Sequence, residues 1–301
     1  MNMTLLLSLQ LVLYCLSVLL AVAFFSLFER KVMGLVQSRK GPSKVGLIGF
    51  FQPFADAMKL ISKEESYPYQ SGKMMYLLSP LFFFCISLLT WITIPINWNL
   101  INSQSSILLV IFCLSLSVYG LIFMGWFSSS KYSLIGSVRA ISQTVSYEIV
   151  LSFLLLNLIF CSSSISVEGV LLIQKVSWLF LPLFFCSFLF FISFLAEGNR
   201  SPFDLAEGES ELVGGYSVEY GGQSYTLVFL SENLSLIWSS VFFSIFFGQF
   251  YFLKSLFILF FFVLVRSSEP RVRYDKMMFF CWTSLVPISI NLVFLSIIMM
   301  E

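Results

Sequence analysis

Eight apolar stretches set the terms for this chain, at roughly 5–28, 76–97, 106–127, 143–161, 177–196, 226–248, 250–266 and 281–299. A helix that crosses a bilayer needs about 20 mostly apolar residues. Lipid offers no partner to an open backbone, so such a run is helical throughout. The sequence therefore predicts an all-α, polytopic membrane protein with eight transmembrane helices and a single membrane domain over 1–301. The first stretch has no basic segment ahead of it and is too long for a signal-peptide core, so it is read as a retained span. The seventh follows Gly248-Gln249 closely and carries Lys254 near its start.

Composition excludes several chemistries. Charged residues make up 11% of the chain, whereas soluble domains carry about 25%, so a water-soluble globular fold is ruled out. There is no His, hence no histidine metal or haem ligand and no His-based catalytic triad. Cys15, Cys85, Cys113, Cys161, Cys186 and Cys281 stand singly in apolar runs without a CxxC, which argues against zinc or an iron–sulfur cluster in this chain. A net charge of +1 points to no nucleic-acid partner.

The loops carry the topology. Segments 29–75, 128–142, 197–225 and 267–280 all fall on one side of the predicted spans. Together with Arg266 at a boundary they hold every Lys and Arg except Lys175 and Lys254. The positive-inside rule places these loops on the cytoplasmic or matrix side and both termini opposite. Most acids share that face, so function is expected there. No internal repeat is visible, which argues against an inverted-repeat transporter.

In the first loop, Gln52, Asp56, Lys59 and Lys63 fall on one helical stripe, and Phe51, Phe54, Ala55, Met58 and Ile61 on the opposite one. This predicts an amphipathic helix along the membrane surface, with Pro53 in its first turn. Two readings stay open: a solvated interfacial helix, or a wall that presents Asp56 to an amphipathic ligand arriving from the lipid.

The third loop is the most unusual stretch. Glu197, Asp204, Glu207, Glu209, Glu211 and Glu219 share it with a single Arg200. Pro, Gly, Phe, Leu and Val are interleaved with these acids, unlike a disordered acidic tail. Glu148 and Glu232 lie inside adjoining apolar spans. A lone charged carboxylate in a membrane costs several kcal/mol, so it is protonated, paired or hydrated. It serves as interhelical glue or as part of a proton relay. The basic loops, with Lys131 and Arg139 in one and Arg266, Arg271, Arg273 and Lys276 in the other, suit lipid anchoring or docking of a peripheral partner.

These residues also form a recognisable series: Glu29-Arg30-Lys31, Arg39-Lys40-Gly41-Pro42, Gln52 to Lys59, Ser146-Tyr147-Glu148, Ala196 to Asp204, Glu207 to Glu211, Glu219-Tyr220-Gly221-Gly222 and Pro270 to Asp275. In this order they resemble the subunit 1 family of NADH:ubiquinone oxidoreductase, the quinone-site membrane subunits of respiratory complex I. The likeness runs along nearly the whole chain. The wealth of Phe, Ser, Leu and Ile is similar to that of proteins encoded by AT-biased mitochondrial genomes of invertebrates.

The resemblance implies a mitochondrial inner-membrane subunit whose matrix loops dock a peripheral arm and enclose a quinone chamber. Ubiquinone would be the substrate. Metal and flavin would belong to other subunits, and antiporter-like membrane-arm subunits and lipids would be further partners. Arg30, Arg39, Asp56, Phe229 and Arg271 would line the quinone path. Glu148, Glu197, Asp204, Glu207, Glu209, Glu211, Glu219 and Glu232 would carry protons away from it. Gly198 and Ser201 stand where the family has Thr and Ala, and Glu269 stands where it has an aromatic or apolar residue. The membrane subunit of energy-converting hydrogenases is similar in fold, and a stand-alone ion transporter or a passive anchor are the other readings.

Overall fold

A computed structural model describes residues 3–69, 71–95, 104–180, 182–205, 208, 213–248 and 251–300. The described elements are all helical: α1 (Met3–Val36), α2 (Gln52–Ser62), α3 (Lys73–Trp91), α4 (Ser106–Phe127), α5 (Lys131–Ser162), α6 (Val167–Val176), α7 (Phe184–Glu197), α8 (Gly222–Phe247), α9 (Tyr251–Ser268), α10 (Tyr274–Phe280) and α11 (Val286–Met300). A π turn at Cys281–Leu285 joins α10 to α11. Short 3₁₀ turns lie at Leu47–Gly49 and Gly215–Ser217. Six described helical segments are long and apolar enough to cross a membrane: α1, α3, α4, α5, α8 and the continuous α10–α11 segment. The shorter α7 is apolar as well.

Helix boundaries differ from the hydropathy pattern where polar residues are buried. The segment 128–142 was expected to be loop, but α5 already begins at Lys131. The Ser130 hydroxyl caps it, accepting the Ser133 amide at 3.3 Å. Ser133 and Ser137 read as loop residues, yet both are buried. Their hydroxyls bond back to helix carbonyls, which removes the cost of burying them. Similarly, α10 begins at Tyr274, inside the segment 267–280 expected as loop. The stretch 177–196 is helical only from Phe184. Pro182 lies just ahead of that start, where its ring cannot continue a helix.

Two long helices organise the rest. α8 packs on α1, α2, α3, α6, α7 and α9, while α5 packs on α4, α6, α7 and α11. α7 touches both. The core is aromatic: Trp238 stacks on Phe242 at 4.7 Å, and Phe194 meets Trp238 edge-on at 6.3 Å. Indole N–H groups need partners in such surroundings. Trp91 Nε1 donates to Leu234 O at 3.3 Å and Trp238 Nε1 to Thr93 Oγ1 at 3.4 Å. Elsewhere apolar side chains face outward, among them Val12, Phe112, Leu253 and Ile298. In water this surface would drive aggregation, and in lipid it is the solvated face.

Candidate functional site

A chain of buried charges lies where α1, α8, α9 and the loop after α7 converge. Glu29 sits near the charged end of α1 and is buried. Arg266, in the last turn of α9, pairs with its Oε1. Arg200 Nη1 approaches the same Glu29 oxygen at 4.0 Å. Its Nη2 lies 3.9 Å from Glu232 Oε2 and donates to Asn233 Oδ1 at 3.1 Å. Glu232, on α8, accepts a hydrogen bond from the Tyr216 hydroxyl. The resulting sequence is Arg266, Glu29, Arg200, Glu232, Tyr216. Two guanidinium groups are thus shared by two acids, so the charges offset one another in a water-poor region. Asn233 is fixed in turn by donating from Nδ2 to Phe229 O at 2.9 Å.

A second polar cluster lies where α5 meets the end of α7. Gln143 Nε2 donates to Ala196 O at 2.7 Å and to Phe203 O at 2.8 Å, clamping the loop after α7. Four buried polar atoms around this clamp make no hydrogen bond with the described residues: Gln143 Oε1, Tyr147 OH, Glu197 Oε2 and Asn199 Oδ1. Buried polar atoms are nearly always bonded, to protein or to internal water. Glu148 follows Tyr147 on α5 and lies within electrostatic reach of Glu197.

The third cluster ties the loop after α7 to the segment before α10. Arg271 Nη2 pairs with Asp204 Oδ2 at 2.7 Å, and Val272 N donates to Pro202 O at 3.0 Å. The Ser142 and Tyr274 hydroxyls bond at 2.9 Å, adding α5 to the strap.

The short helix α2 forms a fourth group. Arg30 Nη1 pairs with Asp56 Oδ2 at 2.6 Å, and Gln52 Nε2 donates to Asp56 Oδ1 at 2.9 Å. The apolar residues Phe51, Phe54, Met58 and Ile61 stay exposed. Arg39 Nε donates to Gln37 Oε1 at 2.8 Å on the exposed loop.

Tyrosines pin the segment that begins α8. Tyr76 and Tyr220 stack at 4.5 Å, and Tyr76 OH donates to Glu219 O at 2.6 Å. Burial pushes the Tyr220 phenol up to about 12, so it remains a neutral donor to Met124 O at 3.0 Å.

The structure thus brings together Glu232 and Arg200, Glu148 and Glu197, Asp204 and Arg271, and Arg30 and Asp56. Among the described residues, the carboxylates placed beside the Arg200 guanidinium are Glu29 and Glu232. Glu207, Glu209 and Glu211 lie outside the described residues. Glu29, Tyr216, Asn233 and Arg266 were missed as site residues. Glu29 had one signal in the sequence, an acid directly after the apolar run that ends in Phe28. Tyr216 had none, since its role comes from a loop folding against α5 and α8. Among the described residues no group of three or more His, Cys, Asp or Glu is arranged to hold a metal ion.

Fold and site together define a multi-pass membrane protein with a buried network of acids and guanidiniums. The comparisons with known proteins make this specific. The NADH dehydrogenase family model matches residues 9–297. NADH-ubiquinone oxidoreductase chain 1 of Aedes aegypti is 43% identical over 283 residues, covering 92% of this chain and 90% of that one. The Paracentrotus lividus chain of the same name is 43% identical over 301 residues, covering 94% and 92%. The Bradypus variegatus one is 41% identical over 288 residues, covering 91% of each. The chain belongs to the NADH dehydrogenase family and is a membrane-spanning part of an oxidoreductase complex.

Proposed function

We propose that this chain forms the membrane wall of a ubiquinone chamber and passes the charge change of quinone reduction into the membrane. The observation that carries this reading is Arg200. It is held between buried Glu29 and buried Glu232, so it joins the quinone-side segment of α1 to the acids of α8. Quinone reduction adds electrons and draws protons. A guanidinium shared by two carboxylates answers such a change by leaning toward one of them.

In this reading Arg30, Arg39, Asp56, Phe229 and Arg271 line the quinone path. The α2 helix lies on the membrane surface, with its exposed Phe51, Phe54, Met58 and Ile61 in lipid. Asp56 is turned to Arg30 and the path's mouth. Glu232 hands the change to Glu197 and Glu148, whose unpaired polar neighbours suit internal water. Asp204, Glu207, Glu209, Glu211 and Glu219 belong to the same acidic conduit from the chamber to the membrane arm.

The same reading gives eight spans, with α7 and α9 added to the six long ones. It places the charged loops in the mitochondrial matrix against the peripheral arm, and both termini in the intermembrane space. Ubiquinone is the substrate, other subunits of the complex hold the redox centres, and antiporter-like subunits receive the change.

The test is photolabelling of the native complex with a ubiquinone analogue. We expect label in segment 29–75 that excess quinone competes away. Label confined to other subunits would overturn the chamber reading.

A further inference from the structure

We propose that the end of the molecule opposite the charged loops carries a binding site for an anionic phospholipid, with Lys254 as the headgroup contact. This site lies apart from the acidic and quinone residues. Trp178, Phe180, Phe247, Phe257, Ile258 and Lys254 line an apolar cavity of about 220 Å³ that opens outward. Trp178 and Phe257 are exposed at its rim.

The local structure holds these residues firmly. The last carbonyls of α8 would be orphans, but side chains from α6 and the segment after it cap them. Gln174 Nε2 donates to Phe246 O at 3.0 Å, and Trp178 Nε1 to Phe247 O at 3.2 Å. Trp178 stacks on Phe180 at 5.6 Å. The Lys254 stem runs over Gly248, where an added Cβ would stand 2.4 Å from Lys254 Cδ. Its ammonium sits over the Trp178 ring at 5.4 Å. A side chain at 248 would push the Lys254 stem off this course.

Charge identifies the occupant. No carboxylate among the described residues pairs with Lys254. Its contact is the face of the Trp178 ring, which leaves the ammonium at the mouth of the apolar cavity able to receive an anion. A phosphodiester supplies the counter-charge, and its acyl chain fills the aromatic cavity. The indole at the rim matches the usual position of Trp at the headgroup level.

The experiment uses the whole complex in phosphatidylcholine nanodiscs, with photoactivatable phosphatidylglycerol or phosphatidylcholine probes of the same acyl chain. Peptides covering 174–180 and 243–258 should take about fivefold more label from the anionic probe, the gain of ~1 kcal/mol that one lysine makes near anionic lipid. K254Q should reduce that label to the phosphatidylcholine level, and K254R should retain the preference, which separates loss of charge from loss of fold. Equal labelling by both probes, undiminished label in K254Q, or no label from either probe because protein covers the face would each overturn the proposal.

Discussion

The guanidinium of Arg200 lies 3.9 Å from the carboxylate of Glu232, although 32 residues and most of a loop separate them in sequence. The same guanidinium reaches Glu29 on α1. A single side chain therefore links three elements whose apolar surfaces would otherwise meet without any electrostatic register. Its removal leaves Glu232 with Tyr216 and Glu29 with Arg266, each in a poorly hydrated place.

Arg200→Met should be among the most damaging changes in the chain. Breaking a buried pair by removing one partner costs about 3–5 kcal/mol. Quinone reductase activity per assembled complex should fall by at least tenfold, or the complex should fail to assemble. Arg200→Lys keeps the charge but loses the two-pronged guanidinium, so it should assemble and show an intermediate loss. Blue-native electrophoresis and quinone reduction on the same preparations check this. Wild-type activity in Arg200→Met would remove Arg200 from the mechanism.

Glu148→Gln and Glu232→Gln preserve size but cannot carry a proton, and at 232 the amide keeps one acceptor oxygen for Tyr216 while losing the charge that faces Arg200. Each should leave assembly near normal and lower proton pumping per electron, measured in proteoliposomes against NADH oxidation. The double variant should be no worse than the stronger single variant, because residues acting in one relay are not additive. Undiminished pumping in both single variants would refute the relay.

The membrane character and the amphipathic pattern of α2 were legible in the sequence, since both depend on periodicity within one segment. The helix starts at Lys131 and Tyr274 were not. There, serines and charged residues masked helical segments, and the hydroxyls that looked polar are satisfied by their own helix. Glu232 stood out as an acid inside an apolar run. Its partners Arg200 and Tyr216 did not, because pairing across 32 and 16 residues is set by how α7, the 3₁₀ turn and α8 pack. The Glu29 contact of Arg200 has the same origin: sequence proximity pointed to Glu197 to Glu219, whereas the approach of α1 to the loop is set by packing.

The strap between Asp204 and Arg271 is partly exposed, so it should matter less than the Arg200 network. Exposed pairs contribute about 0–1 kcal/mol. Asp204→Asn should reduce activity by less than about tenfold, and the charge reversal Asp204→Arg with Arg271→Asp should recover part of the loss from either single reversal. A double-mutant cycle on quinone reductase activity reads the coupling directly. Strict additivity would mean that the pair does no coupling work and that other bonds, among them Val272 N to Pro202 O and Ser142 to Tyr274, hold the strap.

Gly136→Ala tests whether the Tyr216 contact depends on backbone packing. Gly136 lies on α5 against the 3₁₀ turn, and an added Cβ would sit 2.7 Å from Gly215 Cα and 2.9 Å from Tyr216 N. Those neighbours are backbone, so they cannot swing aside as a side chain would. The turn must move outward and carry the Tyr216 hydroxyl off Glu232. Overpacking of this kind costs about 1–3 kcal/mol, so the complex should inactivate at a lower temperature and pump less efficiently even where it assembles. Tyr216→Phe, which removes the same hydrogen bond without moving backbone, should reproduce the pumping defect without most of the stability loss. Gly72→Ala provides the contrast, since nothing lies within 4 Å of its added Cβ, and such open sites change stability by no more than about 0.5 kcal/mol. If Gly136→Ala were as mild as Gly72→Ala, the close approach of α5 to the turn could not be what positions Tyr216 against Glu232.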